Sequence, residues 1–221
     1  NRFSKFKNKI NHIIVEDIPK HVTSLKKDWH PAHIRDQFQR NALERGYKNA
    51  EDEDLIMISD IDEIPDPNKI ANFKKKNKYD CFIQKNFQSK INQLNITEPS
   101  WPGTKICIKK FLKSPQWLRN LKTKQYPFWK IYKPKNLQLI LDGGWHFSFL
   151  KKSDDVSKKI KSFAHQEYNN KKFVDQREIE NRIKSRSDIF DRNFKYQKIE
   201  LNQDFPEYIL RNMSKFKDWV L

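Results

Sequence analysis

The fold of this chain turns on Leu55-Ile56-Met57-Ile58-Ser59-Asp60-Ile61-Asp62-Glu63-Ile64-Pro65. Four apolar residues in a row, introduced by Glu51-Asp52-Glu53-Asp54, predict a short strand buried on both faces. The run leads into Asp60, Asp62 and Glu63, and Pro65 and Pro67 stop it. A buried strand that ends in carboxylates presents them at its carboxyl edge, where open α/β sheets place their ligands. On extended backbone, Asp60 and Asp62 point the same way. Two carboxylates on one side hold a hard divalent cation, or phosphates bridged by it. A solvated acidic turn after a core strand is the plainer reading of the same residues.

Around this stretch, 221 residues give room for one sizeable domain. The chain is 33% charged but carries 16 Phe, 7 Tyr and 6 Trp, too aromatic for a disordered basic tail. Its four glycines form no Gly-rich loop, which excludes a dinucleotide fingerprint and a P-loop. Phosphate would therefore be held by metal and side chains. A net charge of +17 points to an anionic partner: nucleic acid, a phosphate-bearing substrate or an acidic membrane surface. Cys81 and Cys107 sit in separate apolar runs without metal spacing and read as core thiols. No apolar run reaches the roughly 18 residues that a membrane span needs.

Upstream, Phe3, Phe6 and Ile10 suggest a short helix, followed by a strand over His12–Glu16. Asp28 reads as the cap of a helix with Pro31 in its first turn. Ile34, Phe38, Ala42 and Leu43 form the apolar face of that helix, which ends near Gly46. Downstream come a polar helix over Pro67–Lys76, a strand from Tyr79 that continues through Phe87, and a turn at Trp101-Pro102-Gly103-Thr104. Lys105–Lys109 alternates as an exposed or edge strand, and Ser114–Leu121 reads as a short helix. Gln125–Tyr132 is aromatic, strand or loop. Leu137–Asp142 is a second buried-type strand ending in a carboxylate. Gly143-Gly144, beside Trp145 and His146, indicates close backbone approach or a tight bend. Helices follow over Ser153–Ala164, Asp175–Ser185 and Pro206–Asn212. This order predicts one α/β domain over residues 1–221 with a mixed sheet, and a helical extension over 175–221.

Three strings carry a resemblance: Ser59-Asp60-Ile61-Asp62-Glu63-Ile64-Pro65, Gly144-Trp145-His146-Phe147-Ser148 and Ser162-Phe163-Ala164-His165-Gln166-Glu167. In order and spacing they resemble glycosyltransferase family 17, which includes N-acetylglucosaminyltransferases acting on mannosyl glycoproteins. Trp29, Arg35, Arg40-Asn41 and Gly46, and the Trp101–Thr104 string, are similar to it as well. The family pattern starts earlier, with an acidic, Leu-rich strand unmatched here, which implies a chain incomplete at its amino end.

The resemblance implies a GT-A-like domain with a mostly parallel central sheet, a UDP-sugar donor and a glycan or lipid-linked saccharide acceptor. In such a site Asp60 and Asp62 engage Mn²⁺ or Mg²⁺, His146 completes the metal shell, and the metal neutralises charge on the leaving UDP. Inversion needs a carboxylate to take the acceptor proton. Asp142 and Glu167 are the candidates, Asp142 preferred for its place at a strand end. Arg35 or Arg40 would pair with phosphates, and Trp101 or Trp145 would stack on a sugar ring. Glu63 is a further donor-side residue whose role stays open. A haloacid-dehalogenase-like phosphatase also opens on Asp-x-Asp, but it wants Thr or Val where Ile64 stands and a later apolar strand ending in an Asp pair; Asp154-Asp155 follows no such strand. A nucleic-acid-binding protein should show a recognisable basic module, and none is visible. The charge fits phosphorylated lipid-linked or anionic glycans and peripheral contact with an anionic membrane.

Overall fold

Eight strands form one sheet in the computed structural model, which describes residues 3–18, 31–124, 127, 129, 137–162 and 165–221. They are β1 (Leu55–Ile58), β2 (Glu63–Pro65), β3 (Tyr79–Gln88), β4 (Gln93–Asn95), β5 (Ser100–Ile108), β6 (Gln138–Ile140), β7 (Gly144–Ser148) and β8 (Tyr196–Lys198). β3 is the spine. Along one edge its two halves pair in parallel with β6 and then β7, so that Phe82 faces Ile140 and Asn86 faces His146. Antiparallel β5 and β4 take its other edge; β1 lies beyond β5, β8 beyond β4, and β2 beyond β7.

This topology overturns the expected mostly parallel, GT-A-like sheet. Five of the seven pairings are antiparallel. The physical reason lies in the connections: residues 89–92 and 96–99 are short reversals, whereas a parallel pair needs a crossover of about a dozen residues or more. β1 pairs with β5 alone among the described residues, and Leu55 is exposed, so this strand is an edge rather than an interior element.

Other local expectations change with it. Trp101–Thr104 is part of β5, not a turn, and Lys105–Ile108 lies between β1 and β3 instead of at an edge. Lys105 is buried because its Nζ donates to the carbonyls of Arg119 (2.5 Å) and Leu121 (2.6 Å). The first ends the helix Pro115–Arg119 and the second lies two residues beyond it, so the lysine takes acceptors of the kind that a helix end leaves without internal partners. His12–Glu16 forms no strand, Pro67–Lys76 gives only 3-10 turns, and Leu139 and Leu141 around β6 are exposed. Asp28, Trp29 and most of 125–132 lie outside the described residues.

The helices are α1 (Pro31–Asn41), α2 (Pro115–Arg119), α3 (Ser153–Ser162), α4 (Lys171–Val174), α5 (Gln176–Ser185), α6 (Glu207–Arg211) and α7 (Met213–Phe216). Asp175 caps α5 by accepting from Arg177 N and Glu178 N. α3 and α5 share a core of Val156, Ile160, Ile179 and Ile189. Residues 196–221 are tied into the sheet: Phe205 and Ile209 pack on Phe87, Trp145 and Phe147, and Ile91 N donates to Trp219 O (2.8 Å).

Gly143 and Gly144 do permit close approach. Gly143 N donates to Ile83 O (2.8 Å) and its carbonyl accepts from Asp66 N (2.9 Å), stitching β3 to the end of β2. Gly144 has φ +132°, and a Cβ there would lie 2.1 Å from Ile64 O. Both the backbone region and the contact forbid a side chain. Gly144→Ala is therefore expected to cost about 2 kcal/mol or more, by analogy with other strained backbone sites. Thermal unfolding should show a melting temperature lowered by roughly 4 °C or more; an unchanged value contradicts the close approach.

Candidate active site

The chain between β1 and β2 is a turn, closed by Glu63 N donating to Asp60 O (3.0 Å), with Ile61 fully exposed at its tip. The Glu63 side chain, wholly buried, folds back so that Oε2 accepts from Asp60 N (3.1 Å). Its Oε1 accepts from Trp101 Nε1 (2.8 Å), and Arg119 reaches both oxygens, with Nη1 3.0 Å from Oε2 and Nη2 on Oε1. Arg119 also donates to Asp60 Oδ2 (3.0 Å) and Gly103 O (2.8 Å). Arg40 holds the other Asp60 oxygen at 3.2 Å and donates to Gln116 Oε1 at 2.6 Å. Burial opposes the charge on Arg119, but Glu63 and Asp60 outweigh it and hold its pKa above the usual value. A buried carboxylate saturated with donors in this way avoids the cost of an unpaired charge.

The turn sends its two aspartates apart, where extended backbone would have aligned them. Asp60 goes to the arginines, and Asp62 goes to β7. Asp62 O accepts from Phe147 N (2.9 Å), its Oδ2 lies 3.2 Å from Lys159 Nζ, and its Oδ1 lies 4.0 Å from His146 Nε2. Asn86 sets the tautomer of this histidine. Its Nδ2 donates to Glu98 O (3.0 Å), which turns Oδ1 toward His146 Nδ1 (3.1 Å). Facing an acceptor, Nδ1 carries the proton and Nε2 presents its lone pair toward Asp62. Trp101 stacks flat on the imidazole, with 4.3 Å between centroids and 12° between planes. Burial lowers the His146 pKa to about 4, Asp62 opposing and Lys159 assisting, so the ring is neutral at pH 7.

Asp62, His146, Asn86, Lys159 and Trp101 line a pocket of about 410 Å³, within the range of small-molecule sites. Phe149, Tyr168, Phe190 and Phe194 give the same pocket an aromatic lining, with Lys159 Nζ 4.7 Å from the centre of the Phe149 ring. Arg192 also lines it, against the ring of Phe194 at 4.4 Å, and is neutralised by buried Asp188, 2.7 Å away.

The profile of glycosyltransferase family 17 matches residues 1–218. The chain belongs to glycosyltransferase family 17. As such it is an enzyme that moves a sugar from a donor to a glycan acceptor. No curated protein and no solved structure matches it.

In this family 17 glycosyltransferase the pocket brings together Asp60, Asp62, Glu63, Trp101, His146 and Glu167. Arg40 reaches the group through Asp60. Three other residues singled out in the sequence do not join them. Trp145 faces the opposite side of the sheet, packs in the core and donates to Asp204 O (2.8 Å). Asp142 is exposed at positive φ (48°) in the turn between β6 and β7, and Arg35 is exposed on α1. Glu167 is exposed at the rim, 2.9 Å from His165 Nδ1. Burial pushes its carboxyl up, but hydrogen bonds from its own backbone and from His165 outweigh this and hold it below the usual range.

Arg119, Asn86, Lys159 and Glu98 escaped sequence reading. For Arg119 a signal existed: an acidic cluster at a buried strand end calls for a nearby buried cation. For Asn86 there was none.

Removing Glu63 leaves the buried Arg119 with half-exposed Asp60 and the Gly103 carbonyl in place of a buried carboxylate. Glu63→Ala is expected to destabilise the fold by about 3–5 kcal/mol, as for a broken buried ion pair. Denaturant unfolding measures this directly, and a loss below about 1 kcal/mol would show that the clamp is not structural.

Proposed function

We propose that this enzyme transfers N-acetylglucosamine from a UDP-sugar to a glycan with inversion, assisted by Mn²⁺ or Mg²⁺ bound at Asp62 and His146. The observation that carries the metal reading is the facing pair: a carboxylate oxygen 4.0 Å from an imidazole Nε2 whose lone pair is fixed toward it. Both groups repel each other's electron density unless something positive or proton-bearing lies between. A metal-ligating histidine commonly donates its other ring N–H to a carbonyl or carboxylate, as His146 does to Asn86.

Among the described residues no three His, Cys, Asp or Glu side chains gather as a ready cage. That fits a hard cation of this type, which takes one or two carboxylates and completes its shell with water and substrate phosphates. Asp60 contributes differently from Asp62, since both of its oxygens are already held by arginines. When bound, such an ion acts as a Lewis acid on the diphosphate leaving group.

The chain's own groups do the rest. Lys159, on the pocket wall, adds a second positive charge for the phosphates. Trp101 holds the imidazole by stacking, and Asn86 keeps its proton on Nδ1. The donor and acceptor classes rest on the family and on the strings around Asp60, Trp145 and His165, and the net charge of +17 favours an anionic donor.

Ligand linkage tests the reading. Mn²⁺ with UDP at about 100 times its Kd should stabilise the protein by roughly 2.7 kcal/mol, seen as a raised melting temperature, and Asp62→Ala should abolish the shift. A wild-type protein indifferent to Mn²⁺ and UDP, or an Asp62→Ala variant that still responds fully, contradicts it.

A further inference from the structure

Five carboxylates line the pocket, and four of them have side-chain partners. Asp60 is held by Arg40 and Arg119, Glu63 by Arg119 and Trp101, Asp62 by Lys159, and Glu167 by His165. The fifth is Glu98. In a chain of net charge +17, its carboxylate makes no side-chain hydrogen bond or ion pair among the described residues.

The backbone that carries it is nonetheless fixed. Asn95, buried, accepts from Thr97 N (3.0 Å) and Glu98 N (2.9 Å) through Oδ1. Asn86 N donates to Pro99 O and Asn86 Nδ2 to Glu98 O, both at 3.0 Å. Lys195 clasps the other side, its carbonyl taking Ile96 N and its N–H donating to Thr97 Oγ1, both at 2.9 Å. One amide, that of Asn86, therefore ties the Glu98 backbone to the His146 ring, and Trp101, three residues on, stacks on the same ring. Glu98 is solvent-exposed, yet it lines the same pocket as Asp62 and His146; a carboxylate with open lone pairs on a turn so fixed has the properties of a general base.

We propose that Glu98 is the base of the transfer, a role that rests on the glycosyl-transfer reading above. The acceptor hydroxyl gives its proton to a Glu98 oxygen as its own oxygen bonds to the anomeric carbon. The bond from that carbon to the diphosphate oxygen breaks, UDP leaves with the electron pair, and Glu98 returns the proton to solvent. Asp142, outside the pocket, and Glu167, engaged by His165, have no such position.

The test uses the full chain with Mn²⁺ and UDP-N-acetylglucosamine, following UDP release with water and then with an oligomannose glycan as acceptor. Glu98→Gln should lower kcat about a hundredfold or more, the usual scale of general-base catalysis. The melting temperature and the equilibrium affinity for UDP with Mn²⁺ should not change, and Glu98→Asp should restore part of the rate. A Glu98→Gln enzyme within threefold of wild type overturns the role. So does a loss that comes with weakened UDP binding. Wild-type protein that neither binds UDP nor releases it from the donor overturns the functional reading itself, and this role with it.

Discussion

The buried carboxylate of Glu63 is the constraint on which the site depends. Placing a full negative charge where no solvent reaches is tolerable only if every oxygen lone pair finds a donor. Arg119, Trp101 and the backbone of Asp60 supply those donors, and each comes from a different part of the chain. Satisfying Glu63 therefore fixes the β1–β2 turn, the end of α2 and the start of β5 relative to one another. Lys105 reinforces the same corner by holding carbonyls at and just past the end of α2. A second ion pair elsewhere on the surface would add little; this one sets geometry.

From that constraint follows the division of labour between the aspartates. Arg119, once committed to Glu63, also takes Asp60, and Arg40 completes the neutralisation. Asp62 is left to face His146. The same Trp101 that donates to Glu63 stacks on the imidazole, so the Glu63 clamp and the Asp62–His146 pair share a residue. Burial keeps the imidazole neutral and Asn86 aims its lone pair. This end of the site thus offers one neutral nitrogen and one carboxylate oxygen, while Asp60 and Glu63 are held by arginines.

Sequence reading reached some of this and missed the rest for physical reasons. The Ser59–Pro65 and Gly144–Ser148 strings identify the family because local chemistry is concentrated in them. Gly143-Gly144 declared a close approach because only glycine tolerates Gly144's φ of +132°. Strand direction was not legible: an apolar run such as Leu55–Ile58 looks alike in an interior parallel strand and an antiparallel edge. Lys105 looked like the exposed side of an alternating strand because nothing in β5 announces the helix carbonyls that receive it. Asp142 looked like Asp62, a carboxylate after an apolar run, yet positive φ turns it out to solvent. Asn86 carries no pattern, since its contacts reach across to Glu98 and His146, and Glu98 is placed by Asn86 together with the local turn that Asn95 closes.

Asp62, not Asp60, is the aspartate of the pair that we propose binds the metal. Manganese affinity in the presence of UDP, read from the electron paramagnetic resonance of free Mn²⁺, separates the two at equal protein folding. Asp62→Asn is expected to weaken Mn²⁺ binding by about a hundredfold, and Asp60→Asn by less than about tenfold, the loss of a ligand against the loss of a supporting contact. Equal losses, or a larger loss for Asp60→Asn, would contradict this division of roles.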